Sequence, residues 1–301
     1  MLNRIFMPDL VNKRILIGIV IVVALASIGP LLFMVIHSFT LWDTANFRFT
    51  YAWSLHPYSE ALRSDILRPL ASVFTRSAVV ATVECILAIP VALALVRRST
   101  PRQRLAYLVL VTLPFFVCQI TRTFSWSMVL GGKGAVNELI ALLTGVPVAS
   151  GRYGFALPHE LAIGIAIFAG SFAFALVPMT MRLTAIPLNV WAANESLGGG
   201  YRHELLTIAL PACRATVGLS WLIVFFFSLQ ASVEVIMLKG TREQGLFDLT
   251  GTLWRQESYP AAFALGVIVL TGAGVILMIV LLLTGSSVVG KVRRAAGSVV
   301  L

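Results

Sequence analysis

The chain has 301 residues, of which 58% are hydrophobic and only 12% are charged, about half the charged share of an ordinary soluble domain. This composition excludes a water-soluble globular protein and predicts a polytopic membrane protein. A formal charge of +10 is compatible with nucleic-acid binding, so the positions of the charges along the chain must decide that question.

Six apolar stretches are each long enough to cross a bilayer as a helix, which takes about 20 residues. They cover approximately residues 15–37, 72–96, 105–130, 161–181, 216–238 and 261–285. The first is too long for the core of a signal peptide, so it is expected to remain as a helix. The sequence therefore predicts an all-α membrane protein with six transmembrane helices.

The same pattern predicts the order of segments. They are an N-terminal segment 1–14, a first transmembrane helix 15–37, an outer segment 38–71, a five-helix core 72–285 and a basic tail 286–301.

The basic residues indicate the orientation of the chain. Lys13 and Arg14 precede the first span, which favours a cytoplasmic N-terminus. Alternating from there, the cytoplasmic segments hold 13 Lys and Arg against 3 acids, and the outer segments hold 8 against 8. All of the net charge then lies on the cytoplasmic side, as the positive-inside rule for membrane proteins predicts. The charge therefore gives no reason to expect nucleic-acid binding. Both termini and the loop 191–214 are predicted to be cytoplasmic, and 38–71 is predicted to be periplasmic.

Ionisable residues within apolar spans are costly in lipid, so each needs a partner or a role. The candidates for a solute pathway are Arg76, Glu84, Arg122, Trp126 and Glu234. One interpretation is a polar vestibule that receives solute. The other is that an Arg122–Glu234 or Arg76–Glu84 pair tethers helices. Trp126 follows Arg122 by one helical turn and is expected on the same face.

A polar loop separates the fourth and fifth spans and reads WAANESLGGGYRHELLTIALPACR, from Trp191 to Arg214. Its glycine run, 198–200, permits a sharp turn. Tyr201–Leu210 predicts a short amphipathic helix with apolar residues on one side and Arg202, His203 and Glu204 on the other. Pro211 is expected to end or kink this helix.

The spacing in this loop resembles a known family. From Gly198, nine residues lead to Ile208, followed by Ala209, Leu210 and Pro211. This is similar to the EAA loop in permease subunits of bacterial binding-protein-dependent ABC importers, where the loop is a coupling helix that docks on the ATPase subunit. The resemblance assigns ATPase coupling to Glu195, Gly198, Gly199, Tyr201, Arg202, His203, Leu210 and Pro211. The family's glutamate position is Ala192 here, and Glu195 stands three positions later.

A second resemblance is looser. Thr121–Trp126, followed by Leu130–Ile140, resembles the spermidine/putrescine-type branch of the same family. The two resemblances together imply a MetI-like permease core in the bacterial inner membrane and a small, polyamine- or opine-like organic solute. They also imply a homologous or identical second permease subunit, two ATPase subunits that carry ATP and Mg, and a periplasmic solute-binding protein.

The chain itself shows no catalytic or metal-binding motif. It has no P-loop, no HExxH and no Cys/His cluster, so we expect no cofactor or metal on this chain and ATP hydrolysis in another subunit.

Three alternative interpretations of the sequence remain. The loop could be an ordinary interfacial helix of another membrane protein. The chain could be a secondary transporter driven by an ion gradient, which is expected to contain discontinuous helices. A membrane-embedded enzyme is disfavoured because a catalytic constellation is lacking.

Overall fold

A computed structural model of the chain describes residues 13–130, 134–145, 159–238 and 244–297. The fold consists of two compact units. One contains the described residues up to Ser64 together with Thr250–Gly272. The other contains Asp65–Leu249 and the described residues from Ala273 onward.

The first unit begins with helix α1, Lys13–His37. A hairpin of β1, Leu41–Asp43, and β2, Arg48–Thr50, follows, and then the short helix α2, His56–Ala61. The hairpin corrects the all-α expectation for the outer segment. Its turn forms because the Asp43 carboxylate accepts hydrogen bonds from the Asn46 side chain and from the backbone N–H groups of Ala45 and Asn46. These bonds, led by the one from the Asn46 side chain, hold the pKa of Asp43 below its ordinary value.

Most of the remaining chain is helical. The helices are α3 Ser64–Arg98, α4 Pro101–Phe116, α5 Gln119–Leu130, α6 Ala135–Thr144, α7 His159–Thr184, α8 Leu188–Ser196, α9 Tyr201–His203, α10 Leu210–Leu229, α11 Ser232–Leu238, α12 Leu246–Arg255 and α13 Tyr259–Gly297. The turn between α3 and α4 is stabilised by a capping box. The Thr100 hydroxyl accepts the Gln103 N–H, and the Gln103 side chain accepts the Thr100 N–H.

Helix α7 lies at the centre of the second unit and packs against α4, α5, α10 and α11. Its buried face carries large apolar residues, including Ile163, Ile167, Leu176 and Met179, and small ones such as Ala166 and Gly170. Small residues let neighbouring helices approach closely, which matters in lipid because apolar burial between helices gains little there. This explains why a helix without a charge between Leu161 and Met181 forms the core of the unit.

Five of the described helical segments are long and apolar enough to cross a membrane. They are Gly18–His37, Ser64–Arg98, His159–Thr184, Tyr201–Leu229 and Tyr259–Thr284. The α4–α5 pair makes a sixth span if the bent pair is counted as one. The part of the chain that the structure describes therefore has five or six candidate spans, as expected of a helical membrane protein.

The third predicted span, 105–130, is not one straight helix. α4 and α5 meet at an angle of 95°. Helix α4 ends because Val117 has an extended backbone, with φ −74° and ψ 134°. The fifth predicted span, 216–238, is likewise divided, since α10 ends at Leu229 and α11 begins at Ser232.

The loop helix does not end at Pro211. A helical path runs from Tyr201 to Leu229, with a π-helical segment, Glu204–Ala209, directly before the proline. The N–H of Leu210 donates to the carbonyl of Leu205, five residues back. The π turn lies directly before Pro211, so the regular hydrogen bonds to carbonyls four residues back are already interrupted where the proline, which has no N–H, enters the helix.

Candidate functional site

Arg122 joins the two broken helices of the second unit. Its Nη1 donates to the carbonyl of Pro114 at 3.0 Å, and its Nη2 lies 3.5 Å from Oε1 of Glu234. Gln119 donates to the other Glu234 oxygen at 2.8 Å. The Pro114 carbonyl is in the last turn of α4, where carbonyls lack partners within the helix, and Glu234 is in the first turn of α11, where a negative charge is favoured.

The charged side chains of this network are removed from solvent. Arg122 is 8% exposed and Glu234 is fully buried. The ion pair is therefore screened little by water, and each charge depends on the other. Of the two tethering pairs considered from the sequence, this one is present.

The other predicted pair, Arg76–Glu84, does not form. Nη1 of Arg76 lies 3.0 Å from Oε2 of Glu160 at the start of α7, and Ser72 donates to the second oxygen of Glu160 at 3.2 Å. Glu84 is fully buried two helical turns from Arg76 and accepts the Ser171 hydroxyl. The two side chains cannot meet because about two turns of α3 separate Arg76 from Glu84, a distance of about 12 Å along the helix axis.

Two cavities adjoin these residues. One has a volume of about 530 Å³ and lies beside α4 and α5, with Arg122, Ser125 and Trp126 in its wall. The other has a volume of about 760 Å³ and runs between α3 and α7, with Arg76 and Glu160 in its wall. The structure thus places Arg122 next to Glu234 and in the same cavity wall as Trp126, and it places Arg76 and Glu84 in two other environments.

The turn at the glycine run depends on two glycines for different reasons. Gly198 has a φ of +72°, a left-handed conformation that favours glycine. Gly199 lies against the buried side chain of Asn194, whose Oδ1 would be 2.3 Å from an added Cβ and whose Nδ2 donates to the Gly199 carbonyl at 3.1 Å. The turn therefore holds α8 and α9 in a defined arrangement.

Arg97 connects this loop to the end of α3. Its guanidinium forms ion pairs with Glu195 on α8 and with Glu204 at the start of the π-helical segment. It also lies 5.2 Å from the ring centre of Trp191. Beside it, the Tyr201 hydroxyl donates to the Pro90 carbonyl at 2.7 Å, and the guanidinium of Arg98 lies over the Tyr201 ring. We call these residues the Arg97 joint.

The expected amphipathic pattern of the loop helix needs two corrections. Glu204 was predicted on the polar side with Arg202 and His203, but it is 5% exposed and paired with Arg97. Arg202 and His203 are exposed, as are Leu210 and Pro211. Leu206 is 62% exposed, so one predicted apolar position also faces outward.

The loop presents large apolar side chains to its surroundings. Leu197, within the loop, is 85% exposed, and Leu188, in the first turn of α8 just before the loop, is 84% exposed. Together with Leu206 they form what we call the loop leucines. Residues of this kind at the surface of a polar loop indicate an interaction surface.

Several residues of these sites were not singled out as candidates from the sequence. They are Ser72, Pro90, Arg97, Gln119, Glu160, Gly170, Ser171, Trp191 and Asn194. Gln119 had a usable signal, because an amide in an apolar stretch needs a polar partner. The long-range partners of Arg76 and Arg97 carry no such signal. Among the residues that the structure describes, no three His, Cys, Asp or Glu converge on a possible metal site.

Comparison with known proteins identifies the fold. No protein-family model and no curated protein match the sequence. A solved structure of a bacterial ABC transporter involved in the import of the acidic polysaccharide alginate matches with a TM-score of 0.70 and 16% identity. The match covers 91% of this chain and 94% of that chain. A bacterial alginate ABC transporter in complex with an alginate pentasaccharide-bound periplasmic protein matches with a TM-score of 0.69 and 15% identity, covering 89% and 91%. The chain has the fold of a chain found in bacterial ABC importers.

Proposed function

We propose that this chain is the membrane-spanning permease subunit of a bacterial ABC importer. The observation that carries the proposal is the fold match, which extends over about nine-tenths of both chains at a TM-score of 0.70. The spacing from Gly198 to Pro211 supports it independently, because it was recognised from the sequence alone. The chain forms the path for a solute, and a separate subunit supplies the energy.

The surface around the glycine run is the docking site for an ATPase subunit in this proposal. The loop leucines are exposed, and the Arg97 joint fastens the same loop to α3, a candidate membrane span. A force applied to the loop is therefore passed to a helix that continues through the membrane region. This arrangement is what coupling requires, since both sites must act on one connected element.

The solute path includes Arg122, Trp126 and Glu234. Arg122 and Trp126 line the cavity at the break between α4 and α5, and Glu234 is joined to it through its ion pair with Arg122. Such breaks accept irregular backbone in a membrane only where it is buried in protein or lines a cavity. Arg76 and Glu84 contact other partners and do not line this cavity. We therefore propose the path on the side of Arg122 and leave Arg76 and Glu84 outside it.

The remaining parts of the importer follow from this role. The proposed complex contains a second permease subunit, two ATPase subunits that bind ATP and Mg, and a periplasmic solute-binding protein. It resides in the bacterial inner membrane with both termini of this chain in the cytoplasm. Reporter fusions at Lys13 and Lys291 test the orientation, and a periplasmic signal at either position would overturn it.

The comparisons do not support the polyamine- or opine-like solute expected from the sequence. The solute is best identified by a binding screen on the cognate solute-binding protein. The screen should include polyamines, opines and acidic oligosaccharides, because the second solved structure holds an alginate pentasaccharide.

A secondary transporter driven by an ion gradient is the competing function. It was expected to contain discontinuous helices, and α4–α5 is such a pair, so helix breaks alone do not separate the two functions. The fold match favours the importer. The deciding experiment reconstitutes the chain with its ATPase and solute-binding protein in liposomes. We expect uptake that requires ATP and solute-stimulated ATP hydrolysis. Uptake driven by an ion gradient without ATP would refute the proposal.

The docking site has its own test. Replacing Leu188, Leu197 and Leu206 by serine should prevent the ATPase subunit from copurifying with the chain. Leu142→Ser on α6 is the matched control, because Leu142 is 82% exposed but lies outside the loop. Equal ATPase recovery from the triple variant and the control would contradict docking at this surface.

A further inference from the structure

The larger cavity is a groove along two membrane-spanning helices, α3 and α7, and it has the shape and polarity of a lipid site. Its volume of about 760 Å³ falls within the range of roughly 300–1,000 Å³ that is usual for ligand pockets. We call it the α3–α7 groove. Its α3 wall runs from Ser72 to Leu87, a rise of about 22 Å.

Polar groups are confined to one end of this groove. Ser72, Thr75, Arg76 and Glu160 stand there, and the wall beyond them is made of side chains such as Val79, Val83, Leu161 and Phe168. Gly164 leaves room between the helices. A polar solute would find no partners along most of this length, so the groove is not a continuation of the solute path. An extended hydrocarbon chain fits these walls.

At the polar end of the groove, the Arg76 guanidinium lies beside the Glu160 carboxylate, and one N–H group of Arg76 has no hydrogen-bond partner. Arg76 is 8% exposed, and its Nη1 is paired with Glu160 while its Nε has no hydrogen-bond partner. The Glu160 side chain remains 43% exposed. A second apolar helix laid in the groove would remove water from this carboxylate without replacing its contacts, which costs free energy.

We propose that the α3–α7 groove binds a zwitterionic phospholipid of the phosphatidylethanolamine type. Its phosphate meets Arg76, because a guanidinium suits phosphate oxygens. Its ammonium meets the exposed Glu160 carboxylate, and one acyl chain lies along Val79, Val83 and Phe168. The anionic phosphatidylglycerol carries a phosphate but no ammonium, so it leaves Glu160 unmatched. This inference requires only that the chain spans a membrane, and it does not depend on ATP-driven transport.

The test is native mass spectrometry of the full-length chain in detergent, titrated with dioleoyl phosphatidylethanolamine or dioleoyl phosphatidylglycerol. The acyl chains are identical, so only the headgroup differs. We expect roughly tenfold tighter binding of phosphatidylethanolamine, the loss expected when a charged hydrogen bond is missing. Glu160→Gln should abolish that preference, and Arg76→Gln should weaken the binding of both lipids.

A variant in the apolar wall separates the groove from the rest of the lipid-facing surface. Val83→Phe narrows the groove and should lower the binding of both lipids alike. Ile86→Phe is the control, because Ile86 lies on the same helix at 63% exposure but outside the groove. Equal affinity for the two lipids, or unchanged binding in Val83→Phe, would overturn the proposal. Loss of a chain dimer in Val83→Phe but not in Ile86→Phe would also overturn it, because the occupant would then be a second copy of the chain.

Discussion

The guanidinium of Arg122 lies directly against the backbone of Gly170. A methyl group added at Gly170 would stand 2.6 Å from Nη2 and 2.7 Å from Cζ, both closer than van der Waals contact. The next residue on the same helix, Ser171, donates to Glu84. One turn of α7 therefore supports two ionisable side chains that come from two other helices, α5 and α3.

This contact predicts a large effect from a small change. Gly170→Ala should displace Arg122 from Glu234 and lower stability by about 1–3 kcal/mol, the usual cost of overpacking. The thermal unfolding midpoint in detergent measures it. Gly164→Ala on the same helix is the control, since its added methyl would meet only Val80 at 3.7 Å. That variant should be unchanged or more stable by up to about 1 kcal/mol. Equal midpoints for the two variants would show that Arg122 moves freely.

The Arg122–Glu234 pair is predicted to stabilise the chain and to act on solute. Removing either partner, as in Arg122→Ala or Glu234→Ala, leaves a buried charge and should cost about 3 kcal/mol. The double exchange Arg122→Glu with Glu234→Arg should recover assembly, less about 1 kcal/mol for the lost donor to Pro114. Transport by the exchanged variant should stay impaired, because the side chain at position 122, which lines the cavity, then carries the opposite charge. Full recovery of transport would mean that the pair only tethers helices.

The Arg97 joint is predicted to carry motion between the proposed coupling loop, 191–214, and α3. Arg97→Gln removes the ion pairs to Glu195 and Glu204 and leaves the buried Glu204 carboxylate without its cation. In the proposed importer, reconstituted with its ATPase subunit, solute should then stimulate ATP hydrolysis less, while the ATPase subunit still copurifies. Arg102→Gln, an exposed arginine on α4, is the control and should keep full stimulation. Normal stimulation in Arg97→Gln would rule out this route of coupling.

The left-handed backbone at Gly198 predicts a strong dependence on residue type. Gly198→Val should strain the turn by about 1–2 kcal/mol and reduce transport, while the chain still inserts in the membrane. Gly200→Val provides the comparison, because Gly200 has a φ of −81° and open space around its Cα. Comparable transport by both variants would argue against a role for the turn. Ala192→Glu introduces, at an exposed position, the glutamate of the loop that this sequence resembles, and transport should be unchanged.

The sequence by itself determined the membrane class and most of the spans. The predicted span 161–181 lies within α7, and 72–96 lies within α3. Such stretches are readable because a bilayer of fixed thickness requires a long apolar run, whatever the neighbouring helices are. The spacing from Gly198 to Pro211 could also be recognised from the sequence, because it involves residues that are close together along the chain.

The tertiary structure alone decided which polar groups meet. Arg76 pairs with Glu160, 84 residues away, and Arg97 pairs with Glu195 and Glu204 across more than 95 residues. It also decided that α4 and α5 meet at 95° and that the chain passes Pro211 through a π turn. A run of apolar residues looks the same whether its helix is straight or broken. The break depends on partners elsewhere in the chain, such as the Arg122 guanidinium that satisfies the Pro114 carbonyl.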